Sequence, residues 1–376
     1  MAPGRTVMVG DRWLFVNPYG VGDVLCSIPL LNAVRMARPS ATIGYVCNRR
    51  TASLVHALPG VNEVIVFEKD EFRECWRRSK PRWCVAVQRF ARAIRSGRWD
   101  TAIDLSLNWQ VGAALMALGI PRRFGFDFRR RGRFLTHRLP LAGFDHRPVA
   151  EHYLDLLELL KIPHPLHPML ELPVSPAVLR DADEWLARQG VTGDQPIIGI
   201  VPGGGASWGP NAYYKRWPAQ HFAVLADRLV DTIGGQPALL GDRVDEPACD
   251  AVAKAMRHRA MKLEPAPSLL MLAGILKRCR LVVGNDSGAL HLAVAVSTPS
   301  VTIFGPASPV VYGPYPVTAR DPSDGWASRH RVAAKPLACR PCYTRFRLPP
   351  CPWGLRCLTM LSPDDVYQTA STLLAA

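Results

Sequence analysis

A chain of 376 residues, 48% hydrophobic and 20% charged, is too long for one ordinary core and too apolar for wholesale disorder, so it predicts two globular domains. It has no run of about 18 apolar residues with which to span a membrane. The net charge of +15 is uneven, with 26 Lys/Arg against 15 Asp/Glu in residues 1–180 and 20 against 16 thereafter; such a field either attracts nucleic acid, anionic lipid or a phosphorylated substrate, or serves as a solvated basic surface.

Met1 to Asp11 lacks the apolar core and small-residue cleavage site of a signal peptide, which predicts a cytoplasmic protein. Trp13-Leu14-Phe15-Val16 reads as a buried strand, Gly20-Val21-Gly22 as a tight loop, and Asp23 to Met36 as a helix. Strands follow at Ile43–Val46, Val64–Phe67 and Thr101–Leu105, with a helix near Thr51–Leu58 and a basic helix before the last strand. A helix from Ala150 to Leu160 closes this half. Ile162 to Pro176 holds prolines at 163, 165, 168, 173 and 176, which disfavour helix and suggest an extended linker. The rhythm restarts with strands at Ile197–Val201, Ala238–Leu240, Leu281–Val283 and Ser300–Phe304, and helices beginning near Pro218, Asp245, Ser268 and Asp286. A last helix opens at Ser362-Pro363-Asp364-Asp365, with a capping hydroxyl, a proline suited to the first position and acids at the positive end. Strand-length apolar runs alternating with amphipathic helices predict an α/β protein with parallel sheets covered on both faces. The predicted division is an N-terminal Rossmann-like domain over 1–175, a second over 190–361, and a C-terminal helix over 362–376.

Ligands of such sheets bind beyond the carboxyl ends of the strands, so the loops there carry the chemistry. Gly284-Asn285-Asp286-Ser287-Gly288-Ala289-Leu290-His291 joins a strand to a helix. Ser287 and Gly288 fall in the first helical turn, where unpaired N–H groups and the positive dipole end favour a phosphate, and His291 lies one turn on. The competing reading is that Asp286 or Ser287 only caps the helix. Pro202-Gly203-Gly204-Gly205-Ala206-Ser207-Trp208 follows another buried strand, and its three glycines, with Gly204 the middle one, permit backbone that other residues resist. Lys215 and Arg216 then offer adjacent cations for a diphosphate, or simply a charged helix start. No P-loop pattern is present. In the first half, Pro18-Tyr19-Gly20-Val21-Gly22-Asp23 places Asp23 either as a general base or as a helix cap.

In order and spacing these blocks resemble the signatures of the ADP-heptose:lipopolysaccharide heptosyltransferases. Gly20-Val21-Gly22-Asp23-Val24-Leu25 with Pro29-Leu30-Leu31 is similar to the first. Pro202 to Trp208, then Lys215-Arg216-Trp217-Pro218 and His221-Phe222, resembles the second. Gly284 to Gly288, His291-Leu292-Ala293 and Phe304-Gly305-Pro306 resembles the third. The resemblance runs from about residue 12 to 370 and implies a GT-B fold, two Rossmann-like domains facing a central cleft, with inverting transfer of heptose from ADP-heptose to a lipopolysaccharide inner-core acceptor. It implies Asp23 as the base, Lys215 with Arg216 on the diphosphate, Ser287 and Gly288 on phosphate, and Asp286 and His291 near the donor. Serine stands at 287 where the family usually has threonine. Asp242, Asp245 and Glu246 compete to hold the ribose, with Glu246 carried as the donor-site residue.

Trp76 to Trp83 interleaves cations with tryptophan ahead of Arg89, Arg92, Arg95 and Arg98, and Arg129, Arg130 and Arg131 form a second cluster. Both suit an anionic surface or acceptor, which predicts peripheral association with the inner face of the inner membrane. No RNA-binding signature occurs, so no nucleic acid is expected, although RNA docking on the basic half is the non-enzymatic alternative. Cys339, Cys342, Cys351 and Cys357 crowd into the pattern C-x2-C-x8-C-x5-C. They can bind structural zinc or iron, or stand as reduced structural thiols, and Arg340, Arg345, Arg347 and Arg356 among them can instead serve an anion. Transfer itself requires no cofactor. Protein-modifying heptosyltransferases resemble the cysteine pattern and supply the alternative acceptor, a polypeptide. A GT-B-like sugar-nucleotide epimerase is disfavoured, since no suitably placed paired acids or histidine are seen.

Overall fold

The computed structural model describes residues 11–191, 195–316 and 329–374. Met1 to Gly10, on which the leader reading rests, lies outside the described residues. The strands are β1 Arg12–Val16, β2 Thr42–Cys47, β3 Glu63–Val66, β4 Thr101–Asp104, β5 Arg122–Phe128 and β6 His137–Leu141, then β7 Ile197–Val201, β8 Gln236–Leu239, β9 Met261–Lys262, β10 Cys279–Asn285, β11 Ser300–Ile303 and β12 His330–Ala333. They form two six-stranded sheets, ordered β3-β2-β1-β4-β5-β6 and β12-β11-β10-β7-β8-β9. Every described pairing is parallel. Both sheets therefore have the doubly wound order, and each reverses direction at one place: between β1 and β4, and between β7 and β10. The loops after β1, β7 and β10 hold the sequence motifs.

The chain divides into two units. One comprises residues up to Ala142 with Ala150–His167; the other comprises Gly143–Val149 and everything from Pro168 on. The division falls inside the proline-rich stretch, and Pro176 opens a helix, Pro176–Arg188. The Ser175 Oγ accepts from Val178 N–H at 3.4 Å, and proline at the first position gives up an N–H that would have no helical partner. The C-terminal helix, Pro363–Leu374, packs into the core of the second unit. Val366, Ala370 and Leu373 share the second core with Ile198, Leu281 and Val301, and Trp217 donates its indole N–H to Leu361 O at 2.9 Å.

Burial explains which strands can be read from sequence. All residues of β4 and β7 are buried, as both faces of a central parallel strand require. The strands missed by the sequence reading are β5, β6, β9 and β12. Arg122, Arg123 and Asp127 interrupt the apolar run of β5, β6 is an edge strand carrying Pro140, β9 has two residues, and β12 is the far edge of its sheet. The helix Trp109–Ala117 was also missed. The predicted helix Asp23–Met36 is two, Val21–Cys26 and Ile28–Ala37. Pro29 cannot donate to Leu25 O, and Ser27 at the break turns its hydroxyl to Val24 O at 2.7 Å and to the Tyr45 hydroxyl, also at 2.7 Å.

Candidate functional site

In the second unit the loops after β7 and β10 are tied together by Asn285, the last residue of β10. Its buried amide donates to Pro202 O at 2.8 Å and Gly203 O at 3.2 Å, while its Oδ1 accepts from Trp217 N–H at 3.0 Å. The glycine loop needs its composition. A Cβ on Gly203 would lie 2.1 Å from the carboxyl carbon of Asp245, and Gly205 has φ +68°, where a side chain is strained. Asp245 is therefore packed directly against the loop. It is buried, and its Oδ1 lies 3.8 Å from the Arg216 guanidinium. Burial, and then Asp242 nearby, raises its carboxyl above the usual range.

From Gly205 the chain runs through a kinked 3-10 segment, Ala206–Lys215, which returns Lys215 to the end of β10. There Lys215 Nζ lies 2.8 Å from Asp286 Oδ2, with both side chains under a tenth exposed. The same ammonium sits 4.3 Å from the centre of the Trp208 ring. Trp208 in turn meets Tyr343 at 4.7 Å, and Tyr343 meets Tyr312 at 5.8 Å, so an aromatic wall stands beside the lysine. His291 Nε2 is 3.7 Å from the other oxygen of Asp286. Burial alone would push the Asp286 carboxyl up, but the Lys215 and His291 charges outweigh it and leave it at about 2.

The helix Gly288–Ala295 begins immediately after Ser287. Neither suggested cap is made. The Asp286 carboxylate is engaged with Lys215, and Ser287, although in the N-cap position, makes no side-chain cap bond. Its Oγ is buried and has no hydrogen-bond partner among the described residues. A buried hydroxyl beside the first free N–H groups of a helix is a donor aimed at an anion. The structure thus brings together Lys215, Asp286, Ser287, Gly288 and His291, with Gly204 in the loop tied to them through Asn285. Arg216 is held by Asp245 at the loop's other side. Glu246 stands exposed at the first position of its helix, and the acid packed into the site is Asp245. Sequence reading weighed Asp245 but could not rank it, because burial and not spacing separates the two. Asn285 lay inside a quoted motif without a role; the signal was a polar residue ending the apolar run Leu281–Gly284.

In the first unit Asp23 is half-buried in the first turn of Val21–Cys26, and its Oδ2 accepts from Gly20 N–H at 3.1 Å. It thus makes a capping bond of the kind the competing reading supposed. That bond engages one of its carboxylate oxygens. The surroundings are acidic and enclosed. Asp104 ends β4, is buried, and accepts from Ser106 N–H at 2.9 Å; burial raises its carboxyl to about 6. Tyr19 donates to Ser106 O, and burial, then Asp23 and Asp104, push its phenol up to about 12. Asp104 was not singled out from sequence, since an Asp ending a strand is commonplace there. Arg129, Arg130 and Arg131 are exposed on the turn after β5, and Arg131 is close enough to Tyr19 to lower its phenol somewhat.

The four cysteines are free thiols in unlike settings: Cys339 exposed, Cys342 and Cys351 half-buried, Cys357 in the second core. Among the described residues no group of three or more His, Cys, Asp or Glu side chains is placed to hold a metal ion. Cys357 lies in the apolar interior, where burial raises its thiol to about 11, and the charges of Cys342, Cys351 and Cys339 also push it up. The loop is held by backbone. Cys342 and Tyr343 N–H both donate to Pro306 O at 3.1 Å, and Arg340 donates to Gly305 O and Lys335 O, each at 2.6 Å. Arg340 is thus occupied in tying loops, and Arg345 pairs with Asp145 at 3.0 Å.

This arrangement has known counterparts. The model of glycosyltransferase family 9 (heptosyltransferase) matches residues 87–337, well over half of the chain. The chain belongs to glycosyltransferase family 9. It is 27% identical over 314 residues to lipopolysaccharide heptosyltransferase 2 of Escherichia coli (strain K12), covering 79% of this chain and 83% of that one. The solved structure of the E. coli ADP-heptose lps heptosyltransferase II matches with TM-score 0.74 at 24% identity, over 97% and 98% of the two chains. The family 9 glycosyl transferase from Veillonella parvula matches with TM-score 0.78 at 23% identity and the same coverage. The fold of this family 9 enzyme is GT-B, with two parallel α/β sheets. Its motifs stand at the two strand reversals.

Proposed function

We propose that this family 9 glycosyltransferase moves heptose from ADP-heptose to the inner core of a lipopolysaccharide. The single observation that carries the reading is the cluster at the ends of β7 and β10, where Lys215, an unpartnered Ser287 hydroxyl and a helix N-terminus converge as an anion site. Its similarity to lipopolysaccharide heptosyltransferase 2 narrows the donor and acceptor.

In this reading the diphosphate of the donor lies against Ser287, the N–H groups at Gly288 and the Lys215 ammonium, with Arg216 beside it. As the bond from anomeric carbon to phosphate oxygen breaks, ADP takes the electron pair and gains charge that these donors stabilise. The acceptor hydroxyl attacks the opposite face of that carbon, inverting it, and its proton passes to Asp23, a contribution of roughly 10²–10⁴-fold. Asp286 orients Lys215, and Asp245 holds Arg216 and the glycine loop. A lipid-borne acceptor also brings the enzyme to a membrane face. No helix among the described residues is long and apolar enough to cross a membrane, so that association would be peripheral. No observation favours a polypeptide acceptor or RNA.

The test is a donor screen with ADP-, GDP- and UDP-sugars and delipidated core oligosaccharide, following nucleotide release. ADP-heptose should be the preferred donor. Release of GDP or UDP at comparable kcat/KM would overturn the donor assignment, and turnover without the oligosaccharide would overturn the acceptor.

A further inference from the structure

Two helices that follow β3, Lys69–Arg78 and Lys80–Ser96, stand side by side on the first unit. Their inner seam is aromatic. Phe67 lies 5.0 Å from Phe72 of the first helix and 5.1 Å from Phe90 of the second, and Ile94 is the one buried residue of the second helix. The outer side is cationic. Cys75 to Ser96 carries seven Lys/Arg and no Asp/Glu. The ion pairs that form lie toward the start of this region: Arg49 with Glu71, Arg73 with Asp70, Arg78 with Glu74. Beyond them Arg82, Arg89 and Arg92 are exposed, and none has a carboxylate within ion-pair distance among the described residues. At 3.6 residues per turn these three share one face with Val85, which is 46% exposed. Where the helices join, Trp76 is 48% exposed, sits edge-on to Trp83 at 4.9 Å, and has the Lys80 ammonium 5.6 Å from its ring.

Sugar transfer as described above makes no use of this surface. An unpaired row of arginines costs self-repulsion unless a counter-surface relieves it. We propose that the outer face of this helix pair is the docking surface for an anionic lipid bilayer, with Lys80–Ser96 lying flat on the headgroups and Trp76 at the polar–apolar boundary. A row of cations along one helix face, with tryptophan at its end and one apolar side chain within it, suits a planar charged interface. RNA would need aromatic faces free for stacking, whereas Trp76 and Trp83 are packed against each other. The inference rests on the reading of a membrane-borne acceptor only for its purpose; the surface itself is argued from charge and shape.

The experiment is co-sedimentation of the full-length protein with acceptor-free vesicles of phosphatidylglycerol and phosphatidylethanolamine, against vesicles of phosphatidylcholine. Wild type should pellet with the anionic vesicles alone, and less as salt rises. Each surface cation contributes roughly fivefold to partitioning, so Arg82→Glu/Arg89→Glu/Arg92→Glu should lose at least about a hundredfold. ADP affinity and circular dichroism of the triple variant should match wild type, which separates lost docking from lost folding. Wild type remaining in the supernatant, equal binding by the variant, or tight RNA binding without vesicle binding would overturn the proposal. Because turnover on delipidated oligosaccharide is measured separately, failure here is distinguishable from failure of the transferase reading.

Discussion

Replacing Lys215 with methionine keeps most of the side chain's length and apolar stem but removes the charge 2.8 Å from Asp286. In wild type the surroundings hold Asp286 at about 2, against an ordinary value of 3.8. By linkage this depression contributes roughly 2–3 kcal/mol to stability. The contribution is fully present above the unfolded value, near pH 4, and is lost as pH falls through about 2, because a depressed carboxyl stabilises only while ionised. Without Lys215, burial dominates and the carboxylate keeps only His291, at 3.7 Å. Breaking a buried pair from one side typically costs about 3–5 kcal/mol, the same order as the linkage figure. Lys215→Met should therefore unfold in urea with about 3 kcal/mol less stability at pH 7, and the deficit should shrink toward pH 3. Titration calorimetry should show ADP affinity down at least about tenfold, the worth of one charge-assisted hydrogen bond. The double variant Lys215→Met/Asp286→Asn sharpens the test. With no charge left unpaired it should regain most of the stability, yet not the ADP affinity. Unchanged stability at pH 7, or unchanged ADP affinity in either variant, would refute the reasoning.

Three further outcomes follow from the same geometry. Ser287→Ala should cost under about 0.5 kcal/mol of stability, since the hydroxyl caps nothing, while raising the ADP dissociation constant by about tenfold; a stability loss without an affinity loss would make Ser287 structural. Asp23→Asn should reduce turnover by at least about a hundredfold with ADP affinity unchanged, because the amide oxygen can still accept from Gly20 N–H but cannot take a proton; normal turnover would remove it as the base. Asp104 is the opposite case to Asp286. Its raised carboxyl favours the neutral form, so its stabilisation is present below the ordinary value and lost as pH rises through about 6. Asp104→Asn should thus gain on wild type by up to about 3 kcal/mol between pH 4 and 8 in urea denaturation, and parallel pH profiles would show that the buried carboxyl does not titrate there.

The sequence alone determined the class of fold and the location of the chemistry. Period and burial go together in a parallel sheet, so β1, β2, β4, β7, β10 and β11 announced themselves as apolar runs, and each motif loop was legible because it follows such a run. The family likeness was legible for the same reason, being carried by those loops. The tertiary structure decided what one-dimensional spacing cannot contain. Edge strands such as β6 and β12 see solvent on one side, so their composition is mixed and they read as loops. Ser27 breaks what spacing alone presents as one helix, and Pro176 begins a helix in what reads as linker. Above all, the phosphate loop and the lysine joined to it lie about 70 residues apart along the chain, and only the β7–β10 reversal sets Lys215 against Asp286. Burial then sorts neighbours that sequence leaves equal: it sets Asp245 under the glycine loop and Glu246 in solvent, and it draws Cys357 into the core. Desolvation and charge pairing act through space, so which polar group is free to meet a ligand is a property of the folded chain.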